Sequence, residues 1–302
     1  MPGPVVITGA SGLVGGALAA RLRGEGRRLR LASRTPARLA TGPGVEAVGW
    51  DGRDLPRSAL SGSEAIVHLA GEPIFGLPTR ARRERIWATR IDSTKSLVRR
   101  IAELPSSERP RTLVCASAVG FYGDRGEEPL AETAAPGQGF LAELCVAWED
   151  EARQAEPLGV RVVQLRSGVV LSLEGGALPV LSRVFRAGLG GRIGGGRQWF
   201  SWVHLDDAVG LVRLALDDAR ASGPLNNVSP GAVRNRDFTR ALASAVRRPA
   251  LLPTPAFAVR LALRDLASEL LGSRRVLPAR AETLGYRFDH ADVASALAAE
   301  LA

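Results

Sequence analysis

The chain has 302 residues, of which 45% are hydrophobic and 24% are charged. These proportions are typical of a globular protein with its own core, and they exclude a disordered or collagen-like chain. Of the 40 basic residues only Lys95 is a lysine, and the two tyrosines are Tyr122 and Tyr286. Because Gly126 and His290 stand four residues after those tyrosines, any mechanism that needs a Tyr and a Lys at that spacing is excluded.

The formal net charge of +9 raises the question of nucleic-acid binding. Arginines are spread along the whole chain and are dense only in 21–30 and 80–85, where no aromatic residues are interleaved for base stacking. Both stretches are typical of solvated helix faces or ends. The sequence therefore predicts no nucleic-acid partner.

Three further features bear on the compartment. Cys115 and Cys145 are too few for a disulfide framework or a metal site, which favours a reducing environment. The first residues lack a charged start followed by a long apolar run, and no apolar stretch reaches the length of about 18 residues that a membrane span needs. We therefore expect a cytoplasmic protein with no membrane partner and no metal.

Short apolar runs alternate with longer amphipathic segments through the first half of the chain. Runs that are apolar throughout are typical of strands buried on both faces of a parallel sheet. The predicted strands are 5–7, 29–33, 45–48, 65–69, 112–116 and 160–165, and the main predicted helices are 13–25, 84–103 and 140–156. This order predicts an α/β fold with a doubly wound, Rossmann-type parallel sheet.

Residues 5–15 run from the first predicted strand through a glycine turn into a helix. Gly9 permits the tight turn, Gly12 lets the backbone approach a pyrophosphate, and Gly15 allows close packing of helix on sheet. Free amides at the start of the helix then face the phosphates. The pattern predicts a dinucleotide site formed by Gly9, Ser11, Gly12, Leu13, Val14 and Gly15.

The end of the second predicted strand distinguishes NAD from NADP. NAD-dependent enzymes place an acid there for the ribose hydroxyls, whereas this chain has Ser33 and Arg34, with Arg38 one helical turn further on. A guanidinium group matches the 2′-phosphate of NADP. A solvated arginine is the alternative in so arginine-rich a chain, and NADP(H) is the favoured cofactor.

Periodicity weakens after about residue 170, where glycine clusters and prolines punctuate the chain. We predict that 1–166 form an NADP-binding Rossmann domain to which 200–220 return. Residues 167–302 are then mainly a smaller substrate-binding region, which includes a C-terminal segment at 249–298. The aromatic run at 198–202 predicts a wall of the substrate cleft, with ordinary packing as the alternative.

Further segments resemble motifs of the extended short-chain dehydrogenase/reductase superfamily. Asp51 resembles the acid after the third strand that meets the adenine. Leu69, Ala70, Gly71 and Glu72 belong to a segment that resembles the fourth-strand motif beneath the cofactor. The resemblance therefore implies that all five residues lie at the cofactor site.

Two more segments extend the resemblance. Ser117 begins a segment that is similar to the one carrying the superfamily's catalytic Ser or Thr, and Arg166 lies in a segment like the sixth strand near the nicotinamide. An atypical, epimerase-like branch is more similar still; its members are named NAD-dependent epimerase/dehydratase and sometimes cell-division inhibitor homologue. The marks of this branch are 69–74, 117–124, 192–202, 227–230, 277–280 and 285–288.

The resemblance also identifies what this chain lacks. Typical members carry a catalytic Tyr, then a Lys four residues later that holds the ribose and lowers the pKa of the Tyr, then usually a Glu. Counting back from Glu149 puts Cys145 in the place of the Lys and Leu141 in the place of the Tyr. A neutral thiol supplies no cation and Leu has no proton to give, so the usual acid–base chemistry is absent.

Several side chains are candidates to replace it. Ser117 could hydrogen-bond a carbonyl oxygen, although it precedes Tyr122 by five residues where typical members have four. Tyr122 could donate a proton but would be a poor base, and a packing tyrosine is the alternative. Cys145 needs a stabilised thiolate to react, and Glu72 could instead be a solvated loop acid. Ser117 and Tyr122 are the predicted catalytic residues.

Two functions remain open on these grounds. One is an NADP(H)-dependent oxidoreductase or epimerase-like enzyme acting on a small carbonyl or alcohol. The other is a non-catalytic NADP(H)-binding sensor or cell-division-associated interaction protein. Relatives often dimerise through the helices corresponding to 84–103 and 140–156, which leaves a homodimer as a further expectation.

Overall fold

The structure is a computed structural model that describes residues 3–74 and 79–301. Its strands are β1 (Val5–Thr8), β2 (Leu29–Ser33), β3 (Val45–Gly49), β4 (Ala65–His68), β5 (Thr112–Ala118), β6 (Pro129–Leu130), β7 (Arg161–Ser167), β8 (Val169–Leu171), β9 (Trp199–Phe200), β10 (Trp202–His204), β11 (Gly223–Asn227), β12 (Val233–Arg234) and β13 (Arg275–Val276). The helices are α1 (Leu13–Gly24), α2 (Arg57–Leu60), α3 (Arg80–Ala88), α4 (Ile91–Ala102), α5 (Phe140–Arg153), α6 (Leu178–Arg186), α7 (Leu205–Asp217), α8 (Asn235–Ala245), α9 (Ala256–Leu263), α10 (Ala267–Leu271), α11 (Ala279–Thr283) and α12 (Val293–Leu301).

Within the described residues, seven strands form one parallel sheet in the order β3-β2-β1-β4-β5-β7-β11. The chain winds outward from β1 in one direction and then, from β4, in the other. This confirms the predicted doubly wound α/β fold. Ligands of such sheets bind outside the carboxyl ends of the strands at this reversal, which lies here between β1 and β4.

Helices cover both faces of the sheet, and successive residues of one strand belong to different cores. Ile66 and Leu113 pack with α4 and α5 on one face, whereas Val67 and Val114 pack with α1 and α7 on the other. Burial on both faces explains why these strands are apolar throughout rather than alternating.

The strand β11 is absent from the sequence prediction. Its residues include a glycine, a proline and two asparagines, which are depleted in strands. The strand forms the edge of the sheet beside β7, where Pro224 is tolerated. Leu225 supplies its one core side chain.

The predicted helix 84–103 is divided into α3 and α4 at Thr89 and Arg90. The Thr89 hydroxyl donates to the carbonyl of Arg85 at 2.8 Å and accepts the backbone N–H of Glu72 at 3.1 Å. Such side-chain bonds compete with the helical ladder and favour a break. As a result, the Arg90 side chain leaves the helix surface and points into the interior.

A further core lies beyond the sheet and joins α6, α8 and α12, with Trp202 of β10 at its centre. The described C-terminal segment is fastened to α7 by Asp207. This fully buried carboxylate accepts the Tyr286 hydroxyl and the backbone N–H groups of Asp289 and His290. Asp207 therefore adds three hydrogen bonds to the apolar packing between α7 and this segment.

His68, at the end of β4, is buried in the centre of the protein. Its Nδ1 lies 2.8 Å from Thr8 Oγ1, and its Nε2 lies 3.3 Å from Ser93 Oγ. Because Ser93 gives its own proton to the carbonyl of Thr89, Nε2 carries the ring hydrogen and Nδ1 accepts. Burial lowers the pKa of His68 to about 4, so the ring is neutral in the folded chain.

This neutral histidine predicts acid sensitivity. Unfolding exposes a ring with a pKa near 6.5, so between pH 6.5 and 4 the unfolded chain binds a proton that the folded chain does not. As the pH falls through this window, the free energy of unfolding decreases, by up to about 3 kcal/mol from His68 alone. Urea titrations of His68→Gln should show a shallower acid loss than the unaltered protein. If the unfolding free energies of the two proteins changed in parallel with pH, His68 would not be the source of the acid sensitivity.

Candidate functional site

The glycine turn after β1 is built on backbone contacts that leave no space for side chains. Gly9 has a φ of +73°, and a Cβ atom there would lie 2.9 Å from the backbone N of Ala70. A Cβ atom on Gly15 would lie only 2.2 Å from the carbonyl oxygen of Gly9. The turn therefore sits directly against the end of β4, with α1 packed closely over it.

The start of α1 offers open donors. No described side chain caps this helix at Gly12, so the first amides, of Leu13, Val14 and Gly15, have no intrahelical acceptor. These residues line a cavity at the carboxyl edge of the sheet, and Ser11 is exposed beside them. Uncapped amides at the positive end of a helix form a site for phosphate.

The predicted adenosine-side residues lie at the ends of the next two strands. Arg34 is exposed after β2 and forms no ion pair with any other described residue. Ser33 is buried and accepts the N–H of Thr35. Asp51 accepts two backbone N–H groups of its own turn, from Arg53 and Asp54, which lowers its pKa. The structure thus brings Ser33, Arg34 and Asp51 to one edge of the sheet, outside the cavity.

The segment after β4 divides between the cavity and the surface. Leu69 lines the cavity, and Ala70 packs against the glycine turn. Gly71 contacts the guanidinium group of Arg90. The Glu72 carboxylate turns instead toward α3, 3.9 Å from Arg82.

The cavity has a volume of about 610 Å³ and extends from the glycine turn across the carboxyl ends of β1, β4, β5 and β7. One wall is α5, which contributes Leu141, Leu144, Cys145 and Trp148. Thus the two positions where typical members carry Tyr and Lys do face the cavity. Burial raises the pKa of the Cys145 thiol to about 12, so it is neutral and unreactive at physiological pH.

Ser117, at the end of β5, also lines the cavity. Its hydroxyl donates to Glu149 Oε1 at 2.7 Å. The same carboxylate receives Nε and Nη2 of Arg166, each at 2.8 Å, in a fully buried bidentate ion pair. Ser117 is therefore oriented by a carboxylate that is itself held by Arg166.

The structure does not bring Arg166 or Tyr122 to the cavity. The remaining Arg166 nitrogen, Nη1, donates to Tyr122 Oη at 2.9 Å and to the carbonyl of Glu132 at 3.1 Å. The Tyr122 hydroxyl donates to Asn226 Oδ1 at 2.6 Å, and its side chain has no exposed surface. Burial raises the pKa of Tyr122. Both side chains belong to a buried polar network beneath the cavity floor.

The far end of the cavity is formed by the second half of the chain. Gln198, Trp199 and Phe200 line it, whereas Trp202 is buried in the core. Within the aromatic run, Trp199 and Phe200 therefore line the cavity, whereas Trp202 packs in the core. Arg274 also lines this end, where it forms a 2.7 Å ion pair with Glu269.

Some lining residues were missed by sequence reasoning. Arg90, Trp148, Asn235, Glu269 and Arg274 line the cavity, but they lie far apart in sequence and within no motif. Only the break between α3 and α4 directs Arg90 inward. A threonine in the middle of a predicted helix was the one available signal of that break.

One group of potential metal ligands lies outside the cavity. His204, Asp206 and His290 place ligand atoms within 4.8 Å of one another. His204 Nδ1 already accepts the N–H of Asp206, and its Nε2 lies 3.0 Å from Glu300. The two imidazole rings stack with their centres 3.7 Å apart and their planes 30° from parallel. The arrangement is that of a helix cap with a stacked partner.

As for membranes, every helix within 3–74 and 79–301 is too short or too polar to cross a bilayer.

Comparison with known proteins agrees with this geometry. Residues 5–229 match the NAD dependent epimerase/dehydratase family, and residues 254–300 match a domain of unknown function, DUF1731. Epimerase family protein Mb2239 of Mycobacterium bovis is 38% identical over 298 residues, which are 97% of this chain and 96% of that protein. The chloroplastic SDR39U1 homolog of Arabidopsis thaliana is 36% identical over 304 residues, 98% of this chain and 86% of that protein.

A solved structure is similar over the whole chain. The human epimerase family protein SDR39U1, crystallised with NADPH, has a TM-score of 0.87 and 30% identity and covers 99% of both chains. The family resemblance predicted from the sequence is thereby confirmed. The protein belongs to the NAD dependent epimerase/dehydratase family.

Proposed function

We propose that this chain binds NADP(H) and transfers hydride to or from a small carbonyl or alcohol substrate, as an oxidoreductase or epimerase-like enzyme. The observation that carries the proposal is one continuous cavity that joins the uncapped start of α1 to Ser117. The NADPH in the human relative's structure supports the choice of cofactor.

The described residues fit the parts of such a cofactor. No side chain caps α1 at Gly12, so the first amides of this helix are open to the pyrophosphate. The exposure of Arg34 after β2 supports a contact with the 2′-phosphate on the adenosine side. Ser117 then lies at the nicotinamide end of the cavity.

Arg34→Asp tests the cofactor preference. Loss of a charged hydrogen bond costs about 1.5–3 kcal/mol, so NADPH affinity should fall by about 10- to 150-fold while NADH affinity changes little. Calorimetric titration with both cofactors measures this. Arg57→Asp makes the same charge change at an exposed position on α2 and should leave both affinities unchanged. Equal losses of NADPH and NADH in Arg34→Asp would exclude a 2′-phosphate contact.

The bound cofactor supplies the hydride, and the chain must position the substrate oxygen. Ser117 is a hydroxyl at the cavity wall that can bond this oxygen. Because its one proton goes to Glu149, it accepts a hydrogen bond from an alcohol substrate, and it donates to a carbonyl only once that proton has turned away from Glu149. The apolar wall of α5 limits the access of water, which strengthens any hydrogen bond made there. Trp199 and Phe200 close the opposite end.

Ser117→Ala therefore removes the hydrogen bond to the substrate oxygen. We expect kcat to fall by about 100-fold, the lower range for a positioned proton-transfer group, with little change in NADPH affinity. The measurement is NADPH oxidation over a panel of carbonyl compounds. Ser117→Thr keeps a hydroxyl at the same position and should retain most of the activity. Full activity in Ser117→Ala would remove this residue from the mechanism.

Tyr122→Phe separates a structural from a catalytic role. The substitution leaves Asn226 Oδ1 and one of the two N–H groups of Arg166 Nη1 without a buried partner, so the free energy of unfolding should fall by about 1–3 kcal/mol. Turnover per folded molecule should stay close to that of the unaltered chain, because the hydroxyl has no surface on the cavity. A variant of unchanged stability that has lost its turnover would show instead that Tyr122 reaches the substrate.

A second function, a non-catalytic NADP(H) sensor, is favoured by one observation. The ionisable groups among the described lining residues are Arg90, Cys145, Glu269 and Arg274. The thiol has a pKa of about 12 and the Glu269 carboxylate is already paired, so none is a ready proton donor. Tight NADPH binding without oxidation across the same carbonyl panel would support the sensor.

A further inference from the structure

Arg90 places a cation inside the cofactor cavity. The break between α3 and α4 sends its side chain inward, and the residue is only 8% exposed. Its guanidinium group lies 5.2 Å from the centre of the Trp148 ring and lines the cavity beside Leu144 and Cys145. A buried arginine keeps its charge, so this wall of the cavity is positive.

Most of the donors of Arg90 lack an acceptor among the described residues. Of the five N–H groups of a guanidinium, one on Nη1 donates to the carbonyl of Ile86 at 3.2 Å. Arg274, the other cation on the cavity wall, differs, since it donates to Gly123, Ser268 and Glu269. The Arg90 donors without a protein partner open onto the cavity, so a ligand that brings acceptor oxygens there can pair with them.

The neighbours of Arg90 indicate which part of a ligand reaches it. A Cβ atom built on Gly71 would lie 3.1 Å from Arg90 Cζ, so the guanidinium packs directly after the end of β4. The glycine turn touches the same segment from the other side, at Ala70. A cofactor with its phosphates at α1 and its nicotinamide near Ser117 passes this point with the ribose that joins them.

We propose that Arg90 binds the hydroxyls of the nicotinamide-side ribose and thus supplies, from the α3–α4 break, the cation that Cys145 cannot supply from α5. This inference rests on the proposed NADP(H) function. It assigns Arg90 as a cofactor-binding residue that fixes the nicotinamide ring over the cavity floor. Arg34 and Arg90 then hold opposite ends of one cofactor.

Fragments of the cofactor test this assignment by binding alone. Calorimetry should compare Arg90→Gln with the unaltered chain, using 2′-phospho-ADP-ribose, which contains the ribose, and adenosine 2′-phosphate 5′-diphosphate, which lacks it. We expect Arg90→Gln to weaken 2′-phospho-ADP-ribose and NADPH by about 10- to 100-fold, as for loss of charged hydrogen bonds, and to leave the diphosphate within about twofold. Arg99→Gln, an exposed arginine of α4, should change neither.

Other results would overturn the proposal. An equal loss of the diphosphate fragment would mean that Arg90 binds the pyrophosphate, and unchanged binding of every fragment would remove it from the cofactor site. If Arg90→Gln fails to fold, Arg90→Lys is the second variant, because it keeps the cation and the aliphatic stem. The affinity that this variant loses must again be confined to ribose-containing ligands. Failure of the unaltered chain to bind NADPH would refute the proposed function itself, separately from the role of Arg90.

Discussion

The buried ion pair between Glu149 and Arg166 connects the parts of this protein that matter for the cavity. It joins α5 to β7, and each partner also forms hydrogen bonds to other elements. Glu149 accepts from Ser117, and Arg166 donates to Tyr122 and to the carbonyl of Glu132. Removing one partner would leave a charge buried without compensation, which costs about 3–5 kcal/mol. The pair also determines which side chains face the cavity, since it orients the Ser117 hydroxyl and retains Tyr122 below the floor.

Much of the fold could be predicted because it depends on local pattern. Continuous apolar runs identified six of the seven strands of the sheet, β1 to β5 and β7, and the glycine turn identified where the first helix begins. The edge strand β11 could not be predicted in this way, since it is held by backbone pairing to β7 and by a single leucine. The division between α3 and α4 depends on Thr89 bonding Arg85 and Glu72, a competition that periodicity does not reveal.

Residues of the candidate site also differ in whether local pattern or tertiary contacts determine their position. Residues of the glycine turn lie where the pattern puts them, because their role is a backbone shape that glycine alone permits. Arg166 and Tyr122 lie next to motif positions in sequence, but tertiary hydrogen bonds direct their side chains into the interior. Arg90 could not be predicted, because its approach to Gly71 and Trp148 exists only once three separate segments have packed together. A cavity that has lost the Tyr and Lys of α5 retains a cation from elsewhere in the fold.

The most direct test of this account is a crystal structure of the chain with NADPH. The account predicts the pyrophosphate within about 3 Å of the Leu13 and Val14 amides, the 2′-phosphate beside Arg34, and the nicotinamide at the Ser117 end of the cavity. A cofactor bound with its nicotinamide outside this cavity, or with its phosphates away from the start of α1, would contradict it.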